Sequence, residues 1–238
     1  MEDHDVRGFA AVHSVRSVFM FVERIMTRDV LHVAPDATFA QVSEIMRLKK
    51  VRHLPVVEAD GRLVGIISHR DVQRAQPSTI TTLDVGEVKY LLSKVSAADI
   101  MHKKVITCAP STLIEEAARL MRPNKLGCLP VVENDRLVGI ITSVDLLDFF
   151  LDITGCWVEG STRITVSLPD QTGQLAALLA TVSAHGGYIV SVVSPRTPQS
   201  EGKRIAMIRF DADDAERVIT GLREAGYDLS VDITASAK

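Results

Sequence analysis

Two stretches of the chain place a hydroxyl and a carboxylate three residues apart behind an apolar run: Gly65-Ile-Ile-Ser68-His-Arg-Asp71 and Gly139-Ile-Ile-Thr142-Ser-Val-Asp145. Two kinds of chemistry suit that spacing. One is a capping box, in which Ser or Thr accepts from free N–H groups at a helix start and the acid supports the first turn. The other is nucleotide recognition: a helix start offers N–H groups and positive potential to a phosphate, the hydroxyl adds a donor, and the carboxylate accepts from two ribose hydroxyls. No nucleophile–base–acid set, Walker loop or GxGxxG run accompanies them, and Gly202-Lys203 lacks the flanking residues of a P-loop. The histidines show no metal-ligand spacing, and His53, between Arg52 and Leu54, reads as a strand residue. Neither catalytic residues nor a metal site are expected.

Both motifs belong to an internal repeat, and a repeat sets the architecture. Val51-Arg-His-Leu-Pro-Val-Val-Glu58 returns as Leu126-Gly-Cys-Leu-Pro-Val-Val-Glu133, and Arg62-Leu-Val-Gly-Ile-Ile-Ser68 as Arg136-Leu-Val-Gly-Ile-Ile-Thr142. Met26 to Met101 and Pro55 to Pro130 are 75 apart, whereas Gly65 to Gly139 and Asp71 to Asp145 are 74 apart. The missing residue falls in a polar hairpin turn, where length changes are tolerated. Met26, Met46, Met101 and Met121 occupy matching positions and read as core.

Each copy predicts the order β-α-β-β-α. A short extended piece (Leu31–Val33; Ile106–Cys108) ends at Ala-Pro. Thr38, and in the second copy Ser111 or Thr112, then opens a helix whose apolar residues follow helical spacing: Phe39, Val42, Ile45 and Met46, then Leu113, Ala117, Leu120 and Met121. Two apolar strands around a turn follow, and Ser68 or Thr142 starts a last helix. Residues 77–82 read as loop and Glu87–Lys94 as a short connecting helix. Beyond Gly155 the pattern changes. Arg163–Pro169 alternates at period two with Ile164, Val166 and Leu168 inward; a helix marked by Leu175, Leu178, Leu179 and Val182 stops at Gly186-Gly187. Strands at Tyr188–Ser194 and Arg204–Phe210, a helix opened by Asp213-Asp214 and a strand at Leu229–Ile233 complete βαββαβ, the ferredoxin-like arrangement.

Composition is that of a folded α/β chain: 238 residues, 46% apolar and 24% charged. A net charge of −3 gives no global basic field for nucleic acid. No window of ~18 apolar residues predicts a transmembrane helix, and Met1–Asp5 lacks a basic signal-peptide start. Cys108, Cys128 and Cys156 are odd in number and far apart, so reduced core thiols and a cytoplasmic location are expected.

The paired Leu-Pro-Val-Val and Gly-Ile-Ile-[Ser/Thr]-x-x-Asp motifs resemble a tandem pair of CBS domains, a Bateman module, over roughly residues 21–154. Asp170-x-x-Gly173-x-Leu175 in the third segment resembles an ACT domain. The combined order is similar to AcuB-type acetoin-utilisation proteins. The implied fold class is α/β (α+β), a CBS pair followed by a ferredoxin-like βαββαβ ACT domain. The divisions are a flexible extension at 1–19, CBS domains at 20–78 and 96–154 around a linker at 79–95, a hinge at 155–162 where Trp157 is expected to act as an anchor, and an ACT-like domain at 163–235.

Carried over from adenosine-binding CBS pairs, the resemblance implies two nucleotide sites. Site A joins Thr142 and Asp145 to Thr27, Val51 and Arg52. Site B joins Ser68 and Asp71 to His102, Leu126 and Gly127. Site A is the better equipped in sequence, because Thr27 offers a hydroxyl and Arg52 a phosphate fork, whereas Lys103 and Lys104 beside site B read as a solvated turn. The ligand implied is AMP, ADP, ATP or S-adenosylmethionine. In the ACT-like part, Asp170, Gly173 and Leu175 mark either a small-effector site or only a turn. The implied role is a non-catalytic regulator in acetoin or acetate catabolism, a homodimer or larger, acting on an acetylating or deacetylating enzyme. The alternatives are an enzyme acting on a nucleotide or acyl adduct, and an ACT effector sensor with vestigial CBS sites.

Overall fold

The computed structural model describes residues 20–76, 84–195 and 202–232. Expectations for residues 1–19, the loop at 77–82, and Ile233 therefore lie outside the described residues. The chain divides into two compact units, Met1–Leu146 and Leu147–Lys238.

In the first unit, a 3-10 turn at Val22–Arg24 leads to α1 (Phe39–Lys49), β1 (His53–Val57), β2 (Leu63–Ser68) and α2 (His69–Ala75). After α3 (Val85–Leu92) the same order returns as α4 (Ala97–Ile100), α5 (Ile114–Asn124), β3 (Cys128–Glu133), β4 (Arg136–Thr142) and α6 (Ser143–Ile153), the last continuing into the second unit. Each copy holds an antiparallel hairpin, β1–β2 and β3–β4, with one register shift in each. The two extended pieces are reduced to single parallel bridges, Val33 to Val56 and Cys108 to Val131.

Local chemistry explains the helix starts. Thr38 caps α1 in a full capping box with Gln41. The second copy differs: the N-cap of α5 is Leu113, with no side-chain bond, and Thr112 instead accepts from Ala109 N–H at 3.0 Å. The expected opening by Ser111 or Thr112 is thus corrected, because the residue equivalent to Thr38 is Leu113, whose side chain has no oxygen to accept from a free N–H. Lys50 and Lys125 end the two helices in the left-handed conformation, at φ 54° and 52°.

The sequence repeat and the packing do not coincide. The lead of the first copy belongs to the core of the second: Val22 and Met26 pack with Ala117, Met121, Leu129, Val131 and Ile141. The lead of the second copy returns the exchange, Ala97 packing with Phe39, Val42, Leu54 and Ile67. Backbone bonds fasten both. Val22 N–H donates to Thr112 O at 2.9 Å, and Ala97 N–H to Ala37 O at 2.7 Å. Neither copy can complete its core without the other.

The second unit contains β5 (Thr162–Pro169), α7 (Gln174–Ala184), β6 (Tyr188–Val193), β7 (Lys203–Asp211), α8 (Ala215–Glu224) and β8 (Asp228–Asp232). Its antiparallel sheet runs β6-β7-β5-β8, the ferredoxin-like order. Ile164, Val166 and Leu168 all face the core with Leu178, Val182, Ile208, Phe210 and Leu222. Arg209 points from the opposite face and is only 6% exposed, because the segment after α6 covers it. Its guanidinium donates to Thr154 O at 3.2 Å and to Ser161 Oγ at 3.0 Å. Trp157 on that segment is 64% exposed. Cys156 is likewise exposed and is no core residue, unlike the buried Cys108 and Cys128.

Candidate functional site

Both hydroxyl–carboxylate motifs form capping boxes. Ser68 donates to Asp71 Oδ2 from its backbone N–H at 2.8 Å and its hydroxyl at 2.5 Å. Thr142 does the same to Asp145 Oδ2, at 2.6 and 2.8 Å. The remaining carboxylate oxygens differ. Asp71 Oδ1 accepts from His102 Nε2 at 2.9 Å. Asp145 has only the bonds of its own motif among the described residues. Burial pushes the Asp71 carboxyl up, but hydrogen bonds from the Ser68 hydroxyl and backbone and from His102 outweigh it and hold the group below its ordinary value.

The exchanged leads carry residues to these motifs. Thr27 bridges Ile140, with N–H···O bonds of 2.9 Å in both directions, two residues before Thr142. His102 bridges Ile66 in the same way, at 2.9 and 3.1 Å, two residues before Ser68. Each motif is thus flanked by a residue from the other copy's lead.

A cleft of about 840 Å³ opens at the second of these places. Ser68, His102, Leu126 and Gly127 line it, and Asp71 stands behind His102. Of the residues assigned to site A, only Arg52 lines this cleft; Val51 is half-buried against the first core. Thr27, Thr142 and Asp145 lie together at the other bridge, apart from it. A second concavity, about 770 Å³, runs along Arg28–His32 and Val57–Ala59 and holds none of the sequence-derived residues.

The cleft includes residues that the sequence did not point to. His53, Arg70 and Lys125 line it, and so does Lys104, exposed on its turn. His53 rests on Gly127, where a Cβ would stand 2.8 Å from the imidazole Cε1. A side chain at Gly127 would displace the ring. Burial, and then the neighbouring Arg52 charge, push the His53 imidazole below its ordinary value, against an opposing pull from Asp71. The one available signal was position: His53 follows Arg52 directly, and Lys125 ends a helix two residues before Gly127. Ile66, Val105, Ile106 and Pro130 supply an apolar wall. The chemistry is that of a cavity with a cationic rim and an apolar floor, suited to an anionic ligand carrying a flat apolar part.

In the ACT-like loop, Asp170 is exposed and lies 4.0 Å from Arg204, at the limit of an ion pair. Gly173 caps α7 at φ 89° and a Cβ there would meet nothing within 4 Å. The turn therefore requires glycine for its backbone conformation, not for a close approach. Leu175 packs against the core of the second unit.

This architecture is that of a paired regulatory module followed by a ferredoxin-like domain, and the comparisons with known proteins agree. The CBS domain model matches residues 22–78 and 97–152, and the TTHA0829-like ACT domain model matches residues 160–233. A CBS domain-containing protein from Dictyostelium discoideum is 32% identical over 137 residues, covering 56% of this chain and 93% of that protein. The chain belongs to the CBS-domain family, with an ACT domain after its CBS pair. Inosine-5′-monophosphate dehydrogenase from Methanocaldococcus jannaschii is 35% identical over 137 residues, covering 57% of this chain but only 24% of that enzyme. Among solved structures, an acetoin utilization protein (AcuB) from Vibrio cholerae is 33% identical, covering 58% of this chain and 95% of its own, with a TM-score of 0.49.

Proposed function

We propose that the chain is a non-catalytic regulator whose CBS pair senses an adenine nucleotide in the cleft between Arg52 and Gly127. The observation that carries this reading is the position of His102. It comes from the second copy's lead, pairs through its backbone with Ile66 of the first copy, lines the cleft, and holds Asp71 behind it at 2.9 Å. A ligand anion beside the imidazole competes with Asp71 for it, so occupancy bears directly on how the leads are seated. Such coupling requires the ligand to favour one seating over the other.

Site B thereby takes precedence over site A in this reading, because the cations converge there. The ACT domain and a second copy of the chain relay the change to a partner enzyme. Tyr188, 76% exposed on β6 at the edge of its sheet, leaves an edge for side-by-side association. A setting in acetoin or acetate use rests on likeness to AcuB-type proteins alone.

Thermal unfolding with AMP, ADP, ATP and S-adenosylmethionine at millimolar concentration tests the reading. A ligand at a hundred times its dissociation constant adds about 2.7 kcal/mol, which raises Tm by several degrees in a chain of this size. An unmoved Tm with all four ligands overturns it.

A further inference from the structure

The cleft's charge is unbalanced, and the imbalance bears on which nucleotide it takes. Four permanent cations reach it from four separate segments: Arg52 before β1, Arg70 in the first turn of α2, Lys104 in the second copy's lead, and Lys125 at the end of α5. No carboxylate lines it. Among the described residues, none of the four cations is in an ion pair. The nearby acid, Asp71, is already engaged through both oxygens by Ser68 and His102. Like charges held around one concavity repel one another, and an anion relieves that repulsion in proportion to its charge.

We propose that the cleft selects nucleoside polyphosphates, binding the triphosphate ahead of the diphosphate and the monophosphate, and that it rejects the cationic sulfonium of S-adenosylmethionine. The inference rests on the nucleotide reading above and sharpens it. A single phosphate is compact and meets one or two of the cations. A polyphosphate chain is extended and reaches cations that stand on different segments. The apolar wall of Ile66, Val105, Ile106, Leu126 and Pro130 takes the base. A sulfonium would instead add positive charge to a rim that has no acid free to receive it. All four cations are exposed, so each contact is individually weak and screened by salt, and selectivity comes from their number.

The test is calorimetric titration of the full chain, in buffer freed of divalent cations, with ATP, ADP, AMP, adenosine, S-adenosylmethionine and inorganic triphosphate. The expected order is ATP, ADP, AMP, adenosine, with ATP about tenfold or more tighter than AMP. Added salt is expected to weaken ATP more than AMP. Arg52→Gln and, separately, Lys125→Gln narrow the ATP-to-AMP ratio by weakening ATP more than AMP; circular dichroism verifies that both variants are folded. AMP or S-adenosylmethionine binding as tightly as ATP overturns polyphosphate selection and leaves the nucleotide reading standing. Inorganic triphosphate binding as tightly as ATP overturns the nucleotide reading, since the base then contributes nothing. No binding by any of the six overturns both.

Discussion

Met26 of the first copy is seated on Gly139 of the second: a Cβ built on Gly139 would stand 2.5 Å from the Met26 sulphur. Met101 is seated on Gly65 in the reciprocal way and closer still, with its Cγ 2.8 Å and its Cβ 3.0 Å from the same construction. The glycine of each Gly-Ile-Ile motif is therefore the floor on which the other copy's lead rests.

Gly65→Ala is expected to cost about 1–3 kcal/mol by overpacking, and Gly139→Ala less. At Gly65 the clash extends to the Met101 Cβ, which moves only with its backbone, whereas at Gly139 the nearest atom is the Met26 sulphur, near the end of a flexible side chain. Thermal unfolding of the two variants checks the order. Equal stability of both variants with the parent would show that the seating carries no energy.

Much of this was legible in the sequence. Period-two alternation at Ile164, Val166 and Leu168 located a strand, and the recurrence of Leu-Pro-Val-Val located both hairpins. The paired hydroxyl–Asp motifs marked both helix starts. The exchange of leads was not readable from the residues themselves. Val22 finds its partner at Thr112 and Ala97 at Ala37, and no local pattern encodes a partner so far along the chain. The cationic rim was hidden for the same reason, since Arg52, Lys104 and Lys125 converge only once the leads have crossed.

Asp71 links stability to pH. Its folded pKa is depressed, so its contribution is fully present above the ordinary carboxylate range and is lost as pH falls through the folded value. Asp71→Ala should remove part of the acid-side slope and cost roughly 1–3 kcal/mol at neutral pH through the lost charge-assisted bonds. Urea titrations of parent and variant from neutral to acid pH measure both. Identical slopes would mean that the His102 and Ser68 bonds do not favour the ionised form.

His53 gives a second dependence. Its folded pKa is lowered, so its share of stability is intact above the ordinary imidazole range and declines as pH falls through it. A phosphate in the cleft favours the charged imidazole, so binding should take up protons and strengthen toward mildly acid pH. Calorimetry in buffers of different ionisation enthalpy reads this uptake, and His53→Gln should reduce it. Uptake unchanged in the variant would assign it elsewhere.

The thiols should separate by reactivity. Burial pushes Cys108 up to about 11 and Cys128 up to about 12, whereas Cys156 is exposed. A chromogenic disulfide reagent should titrate one thiol rapidly in the folded protein and all three in denaturant. Rapid reaction of more than one in the folded state would contradict the burial of the other two.

Arg209 fastens residues 154–161 onto the second unit's sheet through Thr154 and Ser161. Arg209→Met leaves those acceptors short of a donor, at roughly 1–3 kcal/mol. Trp157 is the single tryptophan and lies in this segment, so its fluorescence anisotropy should fall in the variant. Unchanged anisotropy and Tm would show that the segment is held by other means.

The nucleotide proposed for the cleft shared by Arg52, Ser68, His102 and Gly127 would lie beside one of two adjacent lysines and not the other. Lys103 and Lys104 test that placement most directly, because both are exposed neighbours but only Lys104 lines the cleft. The measurement is calorimetric titration of ATP into the parent, Lys103→Glu and Lys104→Glu chains at physiological salt. The expected loss is about tenfold or more for Lys104→Glu and no more than about threefold for Lys103→Glu, because a few ångströms of screened solvent weaken the second. Equal losses in the two variants, or ATP affinity untouched by Lys104→Glu, would place the nucleotide somewhere else.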